Sequence, residues 1–145
     1  MAAEDDLDRV LQRWHLAQDE FVRGNPGPVK EMWSHTEDVS VANPYGPPVR
    51  GWEKVSAVVE HAASQRRDGE ATGFEVVAKG VTAELAYVMQ IERARSKVGD
   101  REDVTPYAVR ATMIFRPDEG GAWKIVHRHA DPITTARPAE SVIQE

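Results

Sequence analysis

The sequence predicts an α+β fold in which N-terminal helices are followed by a strongly bent antiparallel sheet. Three observations carry this. Apolar residues recur at helical spacing through the first part of the chain. From Phe74 onward the period changes to two, over stretches long enough to curl. The order is helices first and strands afterwards, not the alternation that builds a parallel sheet.

Leu7, Leu11, Trp14, Gln18 and Phe21 are spaced by four and three, with Val10 and Val22 beside them, so they form one face of an amphipathic helix. Acidic residues crowd its start, where they suit the helix dipole. Gly24-Asn25-Pro26-Gly27-Pro28 ends it. A short helix is expected from Pro28 to Ser34, and a short strand from Asp38 to Ala42, where Val39 and Val41 alternate with polar neighbours. Asn43-Pro44-Tyr45-Gly46-Pro47-Pro48 makes a rigid turn. Gly51 to Gln65 is helical, with Trp52, Val55, Val58, Val59 and Ala62 on one side, and Arg66 to Gly73 reads as a polar loop. Four strands follow. Phe74 to Val81 is the first, with a break at Gly80. Leu85 to Glu92 is the second, Tyr107 to Phe115 the third and Trp123 to His129 the last. Lys97 to Asp103 joins the middle two, and Pro117 to Gly121 is a tight turn.

A chain of 145 residues suits one domain, expected here over residues 1–145 with a core of about 7–131 and a loosely held polar tail over 132–145. At this length roughly two-thirds of the unfolded surface is buried, enough for a core with a pocket. Lys and Arg number 18 against 24 Asp and Glu, a formal charge of −6, which argues against nucleic acid as a partner. With no cysteine there is no disulfide, thiolate metal site or thiol nucleophile. The longest uncharged run, Val39 to Val49, holds three prolines, so no membrane span is expected. The opening residues are acidic where a secretory signal would be basic and then apolar, so a cytoplasmic location is expected. No phosphate-cradling loop, dinucleotide fingerprint or nucleophile elbow is present, and no cofactor is expected.

The last strand holds the most suggestive run. His127, His129 and Asp131 share strand parity with Trp123 and Ile125, so they are expected on one face. Titratable groups on such a face are costly to bury without partners. One reading is an acid/base group, an imidazole titrating near neutral pH with Asp131 orienting it. The other is a hydrogen-bonded core histidine beside one at a wet strand end. A metal site would need further ligands, for which Glu92 or Asp131 could serve, but no spacing requires it and none is expected. Arg110 and Glu92 interrupt the apolar alternation of adjacent strands. They suit either an ion pair that orders the sheet or, for Arg110, an anion or carbonyl anchor in a pocket. Asn43 can hydrogen-bond at a pocket mouth and Tyr45 can cap it, or the two belong to a surface turn. The four tryptophans are core residues, and Trp33 and Trp52 among them can also line a cavity.

Together, Phe21-Val22-Arg23-Gly24-Asn25, the run Asp38 to Gly46 followed by Val49-Arg50-Gly51-Trp52, and the ending Gly121 to Asp131 resemble the nuclear transport factor 2-like superfamily. That is the cone-shaped, cystatin-like α+β barrel of ketosteroid isomerases and SnoaL-like polyketide cyclases. The resemblance covers roughly Leu7 to Asp131. It implies a curved antiparallel sheet wrapped around the N-terminal helices, a cavity between them, and a homodimer packed sheet to sheet. The isomerases carry their aspartate base where this chain has Asn43, and their oxyanion-hole acid near Thr112 or Met113, so their mechanism is not expected. The ending His127-x-His129-x-Asp131 is more similar to the SnoaL-like branch. The expected function is therefore a SnoaL-like small-molecule pocket, with acid/base chemistry on an apolar carbonyl-bearing substrate (isomerase, cyclase or hydrolase-like). His127, His129 and Asp131 would be catalytic, and Asn43, Tyr45, Arg110, Glu92, Trp33 and Trp52 would bind substrate. The alternative is a non-catalytic ligand-binding or dimeric assembly module.

Overall fold

The structure, a computed structural model, describes residues 2–144, so the first and last residues of the expected domain span lie outside the described residues. Helix α1 spans Ala2–Phe21, α2 Gly27–Glu31 and α3 Trp52–Ser64. The strands are β1 Ser40–Ala42, β2 Val49–Arg50, β3 Arg66–Val81, β4 Ala86–Val98, β5 Thr105–Pro117 and β6 Trp123–Asp131. They form one sheet in the order β2-β1-β6-β5-β4-β3. The α+β architecture and the bent sheet expected from the sequence are those observed. One pairing departs from the antiparallel pattern: β1 runs parallel to β6, with Val41 opposite Arg128. No described helix is long and apolar enough to cross a membrane.

The apolar stripe of α1 is buried as its spacing requires, with Leu7, Val10, Leu11, Trp14 and Ala17 against the sheet. Val55 and Val59 of α3, Val88 of β4, Met113 and Phe115 of β5 and Ile125 of β6 complete the core. Trp14 and Trp33 are fully enclosed, whereas Trp52 and Trp123 are half-buried.

Two departures from the sequence reading decide where side chains point. The stretch expected as a polar loop, Arg66 to Gly73, is the start of β3, and the strand is kept extended by irregularities rather than ended by them. Asp68 takes a left-handed backbone with φ 54°. At Gly69 a Cβ would stand 2.7 Å from Cβ of Ser96 and 2.9 Å from the Arg95 carbonyl, so glycine is needed for the strands to approach. The second departure is on β6. Ile114 and Phe115 are adjacent on β5, but their partners are His127 and Ile125, so Val126 is an extra residue in a bulge. Beyond it the inward and outward faces of β6 are exchanged.

Candidate functional site

The concave face of the sheet, α1 and α3 enclose a cavity of about 90 Å³. Its walls are largely apolar, from Trp14, Phe21, Val59, Ala62, Phe74 and Val109 among others. Two polar constellations interrupt them.

The first lies on the floor. Even-numbered residues of β4 face inward, which buries Gln90 and Glu92 among Ala86, Val88 and Ala94. Arg128 of β6 meets Glu92 in a fork: Nη2 donates to Oε1 at 2.7 Å and Nη1 to Oε2 at 3.1 Å. Oε2 also accepts from Trp14 Nε1 and Gln90 Nε2, each at 2.9 Å. The guanidinium lies 4.8 Å from the centre of the Trp14 ring. Burial pushes the Glu92 carboxyl up. The charge of Arg128 and the hydrogen bonds from Arg128, Gln90 and Trp14 outweigh burial and hold it below its ordinary value. It is therefore a carboxylate at neutral pH with four donors on it, a poor proton acceptor and no proton donor.

The second lies near the mouth. Arg66, the first residue of β3, is 5% exposed and has no carboxylate partner among the described residues. Its Nη1 donates to the Ala62 carbonyl at 2.9 Å, in the last turn of α3. Its Nε donates to the Tyr107 hydroxyl at 3.3 Å, and Nη2 to the hydroxyl of Tyr45. The rings of Tyr45, Tyr107 and Phe21 surround the guanidinium at 5.1, 5.5 and 5.6 Å.

The residues predicted to form the site are divided between the two faces of the sheet. His127, His129 and Asp131 do share a face, but it is the convex one, turned away from the cavity. The bulge at Val126 is the reason: Ile125 points inward, and after the extra residue Arg128 and Ala130 do so instead. His127 Nδ1 lies 2.8 Å from Ser40 Oγ. His129, with its side chain 55% exposed, is 3.2 Å from Asp131. Burial, and then the nearby His129, push the His127 imidazole below its ordinary value. Arg110 is also on the convex face, where its Nε donates to Asp131 at 2.6 Å. It neither pairs with Glu92 nor reaches the cavity. The metal alternative is separated in the same way, with Glu92 inside and the imidazoles outside.

Glu92, Asn43, Tyr45 and Trp33 do line the cavity. Asn43 also closes its own turn, accepting from the Tyr45 amide at 3.1 Å. Tyr45 is 56% exposed and stands at the mouth. Trp52 instead stacks on His35, ring centres 3.9 Å apart, away from the cavity. Thr112 faces outward and Met113 is sealed in the core. Three residues of the two constellations had no sequence signal read from them. Arg66 sits just past a helix end, where a basic side chain commonly caps carbonyls. Tyr107 shares strand parity with Val109 and Ala111, which could have placed it inside. Arg128 could not be found without knowing of the bulge.

No curated protein matches the chain. Among solved structures it is similar to an NTF2-like superfamily protein from Salmonella enterica serovar Typhimurium, at 16% identity with TM-score 0.75 over 94% of each chain. It is also similar to a protein from Streptomyces avermitilis provisionally titled a dehydratase of the NTF2-like family, at 20% identity and TM-score 0.71, covering 90% of this chain and 96% of that one. An NTF2-like protein with a cystatin-like fold from Novosphingobium aromaticivorans aligns at 14% identity and TM-score 0.64, over 99% and 90% of the two chains. At such identities the likenesses speak for the fold. The NTF2-like fold is thus shared, and the family model described as a SnoaL-like domain matches residues 7–134, almost from the first apolar turn of α1 to the end of β6, so that the chain belongs to the SnoaL-like family.

Proposed function

We propose that this chain binds a small molecule in the hollow between sheet and helices, and that binding rather than acid/base catalysis is its activity. The observation that carries this reading is the chemistry of the cavity wall. Among the described residues that line it there is no histidine, aspartate, lysine, serine or threonine, and its one glutamate is held ionised by Arg128. What remains is an apolar container with fixed hydrogen-bonding groups at two places, the composition of a binding pocket. The acid/base reading rested on His127, His129 and Asp131, whose outward placement leaves it without support.

Xenon and acetone, small enough for the cavity and followed by amide NMR, test this. Shifts are expected at Ala62, Ala94 and Ala130 and should vanish in Ala94→Leu, which fills the space. Shifts confined to convex-face residues would refute the reading. His127→Gln and His129→Gln should leave the titration unchanged.

We further propose that the convex face packs on a second copy of the chain. Tyr87 and Met89 are exposed there, an apolar surface on a chain of net charge −6. Light scattering should show a dimer that Met89→Lys converts to monomer.

A further inference from the structure

We infer that the cavity selects ligands carrying a carboxylate and that Arg66 receives it. This rests on the cavity being a binding site and names the class of ligand. Of the three arginines that line the walls, Arg93 is half-exposed and pairs with Glu75, and the other two differ in one respect. Arg128 has its counter-ion, Glu92, in a two-point contact. Arg66 has none among the described residues: its three acceptors there are a carbonyl and two phenol hydroxyls, all neutral. A guanidinium has five N–H donors, so two of Arg66 are left, one on each terminal nitrogen. A cation 5% exposed with no anion beside it is costly to keep. The cage around it lowers that cost without cancelling the charge, through three ring faces and three hydrogen bonds.

The charges on the wall point the same way. Glu92 and Arg128 cancel, and Arg93 is paired with Glu75, which leaves the interior positive by the charge of Arg66 inside a molecule whose net charge is −6. A carboxylate offers two oxygens to the planar fork, and an apolar body behind it would meet Val59, Ala62 and Phe74. The volume limits that body. A cavity of about 150 Å³ takes benzene, and this one is about 90 Å³, so a short branched acid fits it at rest. A larger acid has to displace Tyr45, which is exposed and held to Arg66 through its hydroxyl.

The probes are isobutyrate and benzoate, each against its amide, and inorganic phosphate, titrated at pH 7 by calorimetry and amide NMR. Isobutyrate is expected to bind at least ~10-fold tighter than isobutyramide and to shift Ala62 and Ala94, and benzoate should bind more weakly than isobutyrate. Arg66→Met keeps a long side chain among the rings and should erase the preference for acid over amide. If that variant does not fold, the acid–amide comparison on the unaltered chain decides alone. Equal binding of acid and amide at Ala62 overturns the carboxylate class and leaves the cavity reading standing. Phosphate binding as tightly as isobutyrate overturns it in favour of a general anion site. No response to any of these probes also overturns it, and the xenon titration then judges the cavity separately.

Discussion

The two faces of one sheet use charge in opposite ways. On the concave face Glu92 and Arg128 are buried, with side chains 7% and 14% exposed, and each oxygen and guanidinium edge is fixed by a partner. On the convex face Arg110 and Asp131 make an equally short contact, but the arginine is half in water. The apolar side chains show a second contrast. Tyr87 and Met89 of β4 are exposed, whereas Gln90 and Glu92 of the same strand are not. The largely apolar concave face thus carries an enclosed polar cluster, and the convex face, with its charged groups, carries an exposed apolar patch. A ligand pocket and a sheet-packing surface would each use such an exception.

The largest effect should come from destroying the device that assigns the faces. Inserting one alanine between Val126 and His127 moves every later residue of β6 on by one place, which would turn Arg128 outward and an imidazole inward. Glu92 would then be a buried carboxylate without its cation. Loss of such a partner alone costs about 3–5 kcal/mol, and a buried histidine adds to it. We expect no cooperative unfolding transition in denaturant. A well-folded insertion variant that keeps its Tm would show that the bulge does not set the faces.

Next in size is the direct contrast of the two ion pairs. Arg128→Met should destabilise the chain by about 3–5 kcal/mol in urea, since Glu92 stays behind without its charge partner. Arg110→Met should change stability by about 1 kcal/mol or less, because water replaces the lost partner. Equal costs would erase the distinction between the faces.

How far this contrast could be read from the residues is instructive. Helix α1, helix α3 and the four long strands were legible, because period 3.6 and period 2 are properties of the side-chain order itself. Alternation on β4 separated Tyr87, Met89 and Ile91 from Ala86, Val88, Gln90 and Glu92 correctly, but it does not say which set is inside. Size settles that: the small residues of the second set leave room for a cavity, and α1 sits over them. The β6 site was misplaced for a different reason. Parity counts are valid only along an unbroken ladder, and Val126 is an ordinary valine with no feature that marks a bulge. The same blindness hid Arg66, since Asp68 and Gly69 look like the end of a loop and are a strand irregularity. Strand β2 is two residues long and has no period to detect.

Acid should separate the faces again, by a smaller margin. Glu92 has a folded-state pKa below its ordinary value of 4.5, so its contribution is present above about pH 4.5 and is lost as pH falls through the lower folded value. Asp131 is also lowered: burial acts against it, and hydrogen bonds from Arg110 and the Ile133 amide, with the charge of Arg110, outweigh that. Its contribution disappears over the corresponding window below 3.8. Salt distinguishes them. At 1 M NaCl screening reaches about 3 Å, which weakens the half-exposed Arg110–Asp131 contact far more than the enclosed one. Melts at pH 3–6 should show that Glu92→Gln flattens the acid limb at low and high salt alike, whereas Asp131→Asn flattens it only at low salt.

The smallest expected effect belongs to His127. Burial and His129 lower its folded-state pKa below 6.5. Below pH 6.5 the unfolded chain therefore holds more protons than the folded one, and stability falls as pH drops from there to the folded value. His15 on α1 behaves in the same sense, lowered chiefly by burial as it stacks on Phe74 with ring centres 3.8 Å apart. His127→Gln should thus narrow the difference in urea midpoint between pH 7.5 and pH 5.5, and His15→Gln should narrow it as well. The two histidines sit on different elements with no hydrogen bond between them, so the double variant should show the sum of the two changes. A wider difference in His127→Gln than in the unaltered chain would mean that the imidazole gains a proton on folding, which the Ser40 contact argues against, as does the absence of a carboxylate partner for His127 among the described residues.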